Sequence, residues 1–80
     1  MRRTFSLSEL RRSLGLTQAD VAERLKVGQD VVSRMERGEG LRVANLRRYL
    51  NALGATCEIQ VRVRGRKPLY VREGTEEKLQ

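Results

Sequence analysis

The sequence predicts a mainly α fold in which four short helices are followed by a β-strand or a β-hairpin. Two observations support this prediction. Apolar residues recur every three or four positions from residue 7 to residue 53, which is the period of amphipathic helices. From residue 56 the period changes to two, as in a half-buried strand. We assign residues 1–72 to a single domain and expect the polar residues 73–80 to be a disordered tail.

The first two helices have recognisable starting residues. Ser6 and Glu9 give the S-x-x-E pattern of a capping box, and Gly15 ends the first helix. Thr17 is a capping residue for a second helix of about two turns, and Asp20 lies near its positive end. The buried stripe of this helix is expected to be Val21, Ala22 and Leu25.

The third and fourth helices are bounded by glycines. A turn at residues 26–28 precedes a third helix from about Gln29 to Glu36, and the two glycines of "RGEG" end it. The fourth helix begins at about Val43, and Gly54 is its natural stop. Its apolar stripe is Leu46, Tyr49, Leu50 and Leu53.

The segment after the helices predicts a strand from Thr56 to Val63. The turn "RGRKP" follows, and a shorter second strand at residues 69–72 is confined to an edge by Pro68. A lone hairpin is marginal in water and its open edge can pair with another chain, so we expect the strand to join two subunits. The expected dimer interface is the apolar row Cys57, Ile59, Val61 and Val63. The alternative is that this row packs only on its own helices, with Leu50 and Leu53 covering part of it.

The charge balance favours a polyanionic partner. The chain has 17 Lys and Arg against 10 Asp and Glu, a formal net charge of +7. A basic surface that only maintains solubility explains the charge equally well. Residues 1–54 carry +5 and residues 55–80 carry +2, which favours the helical part as the nucleic-acid face.

The composition also argues against several classes of protein. The chain has no His and one Cys, which rules out an internal disulfide and the common zinc spacings and leaves no nucleophile with an obvious general base. We therefore expect no enzyme activity, no metal and no cofactor. No apolar run approaches the ~20 residues of a membrane span, and no apolar signal region follows the first basic residues. The sequence predicts a soluble, unprocessed protein of the cytoplasm.

One face of the third helix carries polar side chains that suit base edges. At about 100° per residue they lie within a sector of about 140°; they are Gln29, Asp30, Ser33, Arg34 and Arg37. Gln can bind adenine with two hydrogen bonds, Arg can bind guanine in the same way, and Asp can accept from cytosine. Any amphipathic surface helix has a polar face, so a merely solvated face is the alternative. Two short helices joined by a three-residue turn are, however, typical of a DNA-binding helix-turn-helix.

The stretch "TQADVAERLKVGQDVVSRMERG" closely resembles the helix-turn-helix of lambdoid phage repressors and XRE regulators, and the resemblance covers residues 7–54. It implies a lambda-repressor-like fold and sequence-specific DNA binding. The base-reading positions implied are Gln29, Asp30, Ser33 and Arg34. The phosphate-contacting positions implied are Gln18, Arg37 and Arg42. Arg11 and Glu36 match a partly buried structural ion pair, and Lys26 stands where the family usually has Gly.

The segment "LNALGATCEIQVRV" resembles HigA-type and HipB-type antitoxins, and in HipB-like proteins such a strand joins the two subunits. The two resemblances together imply a transcriptional repressor that binds a palindromic operator as a homodimer and is the antitoxin of a type II toxin–antitoxin operon. Its partners would be double-stranded DNA, a second copy of the chain and a toxin. Two alternatives remain: a stand-alone XRE-family or phage-type repressor, and a toxin-neutralising module without a DNA role.

Overall fold

A computed structural model describes residues 3–72 of the chain. Its elements, in chain order, are the helices α1 (Leu7–Ser13), α2 (Gln18–Leu25), α3 (Gln29–Glu36) and α4 (Val43–Ala52), and the strands β1 (Gln60–Val61) and β2 (Leu69–Tyr70). The fold class of four helices followed by a small C-terminal sheet is confirmed. The tail expected at 73–80 lies outside the described residues, and the assignment of 1–72 to one domain stays a prediction.

Side-chain caps set the starts of α1 and α2. The Ser6 hydroxyl accepts a hydrogen bond from the backbone N–H of Glu9 at 3.1 Å. At α2, Thr17 Oγ1 accepts from the backbone N–H of Asp20 at 3.0 Å, and Asp20 Oδ2 accepts from that of Thr17 at 2.8 Å. The hydrogen bond from the Thr17 backbone lowers the pKa of the Asp20 carboxyl. A reciprocal capping box therefore begins α2.

The core lies between α2, α3 and α4. α2 packs against both of the other two helices. The buried apolar side chains are Val21, Ala22, Val32, Met35, Tyr49, Leu50 and Leu53. Leu7 and Leu10 of α1 and Cys57 of the C-terminal segment are partly buried against the edge of this cluster. The predicted apolar stripes of the second and fourth helices thus supply most of the core.

The strand predicted from Thr56 to Val63 is wrong in extent, because β1 contains only Gln60 and Val61. The residues before it are attached to the helices instead. Arg47 Nη1 donates to the backbone carbonyl of Cys57 at 2.6 Å, and the Cys57 side chain packs on the core. Both the carbonyl and the side chain of Cys57 therefore hold this segment to the helices. The strand ladder starts only beyond it.

The second strand does form, and it gives the hairpin two different faces. β1 and β2 are antiparallel, with Gln60 opposite Tyr70 and Val61 opposite Leu69. The turn between them closes through a hydrogen bond from Arg66 N–H to the Val63 carbonyl at 3.0 Å, with Gly65 at φ +80°. Alternation places an apolar face on one side, comprising Ile59, Val61, Leu69 and Val71. A polar face lies on the other side, comprising Gln60, Arg62 and Tyr70.

Lys26, which ends α2, has φ +58° and ψ +45°, in the left-handed region. The turn of the helix-turn-helix therefore needs the conformation that Gly adopts without strain. An L residue in this region costs roughly 1–2 kcal/mol.

We predict that Lys26→Gly raises the free energy of unfolding by about 0.5–1 kcal/mol, because relief of the strain exceeds the greater freedom of Gly in the unfolded chain. Urea unfolding measures the change. Lys26→Ala is the matched control: it removes the same charge but keeps the strain, so it should give no gain. Equal stabilisation by both variants would show that charge, not backbone strain, limits stability here.

Candidate nucleic-acid interface

One carboxylate at the end of α3 accepts hydrogen bonds from side chains of the other three helices. Arg11 of α1 donates through Nε to Glu36 Oε2 at 2.6 Å and through Nη2 to Oε1 at 3.2 Å. Gln18 of α2 donates to Oε1 at 3.0 Å, and the Tyr49 hydroxyl of α4 donates to Oε2 at 2.7 Å. Arg11 and Glu36, expected to pair from the resemblance, have side chains only 9% and 6% exposed. Glu36 therefore fixes the end of α3 relative to α1, α2 and α4.

The hydrogen bonds to Glu36 keep it charged despite its burial. Burial raises the pKa of the Glu36 carboxyl, but hydrogen bonds from Arg11, Tyr49 and Gln18 outweigh burial and hold the pKa below its ordinary value. Burial, followed by the hydrogen bond to Glu36, raises the pKa of the Tyr49 hydroxyl. At neutral pH the Glu36 carboxylate is therefore charged, and the Tyr49 hydroxyl that donates to it is neutral. Sequence reasoning missed this role of Tyr49, although a buried Tyr needs a partner for its hydroxyl.

Gln18 connects this carboxylate to the exposed side of α3. It is the half-buried first residue of α2. Besides donating to Glu36, its amide oxygen accepts from Gln29 Nε2 in a long contact of 3.4 Å. One N–H of the Gln18 amide remains to donate to a phosphate. The orientation of Gln29, the first residue of α3, is therefore coupled to the core.

The five polar residues predicted to share a face of α3 do lie together on its exposed side, in two rows at i, i+4 spacing. In one row, Arg34 Nη2 lies 3.3 Å from Asp30 Oδ2, with both side chains more than half exposed. In the other row, Arg37 Nη1 donates to Ser33 Oγ at 2.6 Å, and the Arg37 guanidinium also pairs with Glu39. Gln29 begins this second row.

Arg42 lies apart from these rows. It is the exposed N-cap residue of α4, and its side chain makes no capping hydrogen bond. The backbone N–H groups of the first turn of α4 lie beside it, so this end of the helix combines an exposed cation with a positive helix terminus. That combination suits a phosphate oxygen.

The pairing of Asp30 with Arg34 changes the expected role of Asp30. A carboxylate alone in the major groove would repel phosphates, whereas here it lies against the guanidinium expected to read guanine. An exposed i, i+4 pair is worth only about 0.3–0.5 kcal/mol, so Arg34 can leave Asp30 at little cost. Asp30 can therefore orient Arg34 before contact and still accept from a cytosine amine afterwards.

Residues 3–72 also lack two other features. No group of His, Cys, Asp and Glu side chains in this range could hold a metal ion. None of the described helices is long and apolar enough to cross a membrane.

A family profile described as helix-turn-helix matches residues 7–59, which span all four helices. The chain belongs to the helix-turn-helix family. The resemblance inferred from residues 17–38 is thereby confirmed, and the match extends beyond α4 into the C-terminal segment. The roles of individual residues towards DNA stay predictions.

Known relatives of this helix-turn-helix protein are HigA antitoxins. A Mycobacterium tuberculosis (strain ATCC 25618 / H37Rv) protein named as a candidate antitoxin, HigA2, is 41% identical over 63 residues, and the match covers 76% of this chain and 62% of that protein. The chain thus spans less than two thirds of this curated relative. The solved structure of a DNA-bound antitoxin HigA3 has a TM-score of 0.78 at 31% identity, covering 89% of this chain and 94% of the other.

A second solved structure is of a HigA antitoxin described as inducing DNA bending by unique dimerization. It has a TM-score of 0.73 at 31% identity and covers 89% of this chain and 96% of the other. The expected likeness to HigA-type antitoxins is confirmed by these relatives.

We predict that Glu36→Gln lowers the free energy of unfolding at pH 7 by about 3–5 kcal/mol, because it leaves Arg11 buried without its counter-charge. The lowered pKa of Glu36 sets the pH dependence. Its stabilising contribution is present above the ordinary carboxyl pKa of 4.5 and is lost as pH falls through the lower pKa of the folded state. The gap between wild type and Glu36→Gln in urea unfolding should therefore narrow on acidification.

Glu39→Gln is the matched control, since the Glu39 side chain is 55% exposed in its pair with Arg37. It should cost less than about 1 kcal/mol at pH 7. If Glu36→Gln unfolds the chain, Tyr49→Phe removes a single donor and should cost about 1–2 kcal/mol. A gap between wild type and Glu36→Gln that stays constant from pH 7 to pH 3 would contradict the assignment.

Proposed function

We propose that this helix-turn-helix protein is the DNA-binding antitoxin of a type II toxin–antitoxin operon and represses transcription in the cytoplasm as a homodimer on a palindromic operator. The observation that carries the proposal is the exposed polar face of α3, held to the other helices through Glu36. The similarity to a DNA-bound HigA3 antitoxin over most of the chain supports the same function. The activity proposed is binding, not catalysis.

In this proposal α3 enters the major groove. Its base-reading residues are Gln29, Asp30, Ser33 and Arg34. Phosphates on either side of the groove are bound by Gln18, Arg37 and Arg42. The contacts within these rows are weak and exposed, so the side chains can exchange an intramolecular partner for a base or a phosphate at small cost.

The apolar face of the hairpin is the proposed dimer interface. Val61 and Leu69 share this face and are 41% and 56% exposed, and Val63 beside them is 44% exposed. Two-fold pairing would cover these side chains and the open strand edge in a closed assembly. Cys57, which the sequence also predicts for the interface, is partly buried against the core of its own chain, whereas Leu69 adds an exposed side chain that the sequence analysis did not include. The interface is therefore centred on the hairpin and not on the segment before it.

A dimer also meets the requirement of sequence recognition. One recognition helix reads only a few base pairs, whereas two helices about 34 Å apart on a two-fold axis read a palindrome. The dimerisation and DNA bending described for the similar HigA antitoxin are consistent with this arrangement.

The toxin is the third proposed partner, and it is supported by the antitoxin names of the relatives. A stand-alone repressor is the second candidate, because the DNA-facing side described above requires no toxin. A neighbouring reading frame for a toxin, whose growth arrest is relieved by co-expression of this chain, would support the antitoxin. Repression without any such neighbour would favour the stand-alone regulator.

We predict that Arg34→Ala weakens operator binding by about 1–3 kcal/mol and relaxes the preference at one base pair, because it removes a base contact. Arg42→Ala should weaken operator and random DNA alike, because it removes a phosphate contact. Titrations of both variants on operator, single-substitution operators and random duplex measure the two effects. Equal losses on operator and random DNA for both variants would reject the assignment.

We predict that Val61→Glu converts the dimer to a monomer and weakens operator binding at least tenfold, because it places a charge in the apolar interface. Sedimentation equilibrium and operator titration measure the two effects. Gln60→Glu is the matched control for sedimentation, since its side chain lies on the opposite face of the same strand and should leave the dimer intact. A dimer that survives Val61→Glu would exclude the hairpin as the interface.

A further inference from the structure

The hairpin carries a net positive charge, whereas the helix-turn-helix itself does not. Residues 17–39, which contain α2 and α3, have four basic and five acidic side chains. Residues 55–72 have five basic side chains and one acidic side chain, a net charge of +4. The net charge of residues 55–80 is only +2, because residues 73–80 contain three Glu and one Lys. The motif expected to read bases therefore has almost no net attraction for phosphate.

Within residues 3–72, the basic side chains of the hairpin have no acidic partners. On α3 each arginine is paired, Arg34 with Asp30 and Arg37 with Glu39. By contrast, no carboxylate elsewhere in the described chain forms an ion pair with the five hairpin cations, which are Arg62, Arg64, Arg66, Lys67 and Arg72. All five belong to exposed residues. Exposed cations without an ion pair are available to a polyanion without the loss of a salt bridge.

The basic side chains of the hairpin are separated from its apolar face. Arg62 Nε donates to Gln60 Oε1 at 3.3 Å, and Gln60 Nε2 donates to the Tyr70 hydroxyl oxygen at 3.4 Å, so these three side chains share the polar face. Tyr70 is 62% exposed, and its hydroxyl proton remains available to an acceptor. Arg64 and Arg66 flank Gly65 in the turn. Burial of the apolar face in a dimer would leave the polar face and the turn in solvent.

We infer that the polar face and turn of the hairpin are a second DNA-binding surface, which binds backbone phosphates beside the base pairs read by α3. This inference rests on the proposed function. Arginine, lysine and tyrosine are the side chains that commonly bind phosphate oxygens, and they bind without reading sequence. The hairpin supplies the sequence-independent attraction, and α3 supplies the discrimination. In the dimer two such surfaces double the effect.

The test is the salt dependence of DNA binding by Arg64→Gln/Arg66→Gln/Lys67→Gln. Each lost phosphate contact should make the slope of log K against log salt shallower by about 0.9, and so by up to about 2.7 for the triple variant. Affinity should fall on operator and on random duplex by the same factor, which leaves their ratio unchanged. Arg3→Gln/Arg12→Gln/Arg48→Gln is the matched control: it removes three exposed charges outside the hairpin and should leave the slope nearly unchanged.

The outcomes separate this inference from the proposed function. A wild-type chain without preference for its operator would reject the proposed function. If the wild type prefers its operator but the hairpin variant keeps the wild-type slope, the inference alone is overturned, and an acidic protein becomes the candidate partner of this surface. Equal slope changes in the hairpin and control variants would also overturn it, because net charge alone would then explain them.

Sedimentation identifies a hairpin variant that has lost its dimer. In that case ethylation interference on the wild-type complex decides the question. Ethylation of phosphates outside the base pairs protected by α3 should weaken binding if the hairpin contacts them. Interference confined to phosphates next to those base pairs would overturn the inference.

Discussion

The arrangement of the four helices depends on the hydrogen bonds to a single buried carboxylate. Glu36 lies at the end of α3 and accepts from Arg11 of α1, Gln18 of α2 and Tyr49 of α4. An ionised carboxylate is costly to bury, and only several donors of good geometry offset that cost. Here the donors come from three different helices and the acceptor from a fourth. The cost of burial is therefore offset only when all four helices are correctly placed. The interaction therefore specifies one arrangement of the helices, whatever its net contribution to stability.

The same carboxylate links the core to the exposed polar face of α3. Gln18 binds Glu36 through its amide nitrogen and Gln29 through its amide oxygen. The orientation of Gln29, the first residue of α3, therefore depends on an interaction with Glu36, the last residue of the same helix. The remaining side chains of the face are held by exposed contacts with near neighbours in the chain, Asp30 with Arg34, and Arg37 with Ser33 and Glu39. A rigid helix with adjustable side chains suits groove recognition, because the helix position sets the register while each side chain can change partner.

The helices could be predicted from sequence because their limits are determined locally. Ser6 and Thr17 provide capping hydroxyls, and Gly54 follows the last turn of α4. Lys26 stands where the family usually has Gly, the residue that adopts positive φ without strain. Roles that depend on tertiary contacts were less accessible. Tyr49 was assigned to an apolar stripe, and nothing in its spacing shows that its hydroxyl meets Glu36. The strand was predicted too long because alternation gives no warning that Arg47 binds the Cys57 carbonyl.

In the proposed function, the hairpin contributes to both stability and DNA affinity. Its apolar side chains are exposed in the single chain, so their area can stabilise an assembly only when a partner covers them. Its polar face and turn carry a net positive charge, which the helix-turn-helix lacks. If operator binding requires both copies, DNA stabilises the dimer to the same extent that dimerisation strengthens DNA binding. Repression would then rise steeply with protein concentration, and any partner that covered the apolar face of the hairpin would release the DNA without touching α3.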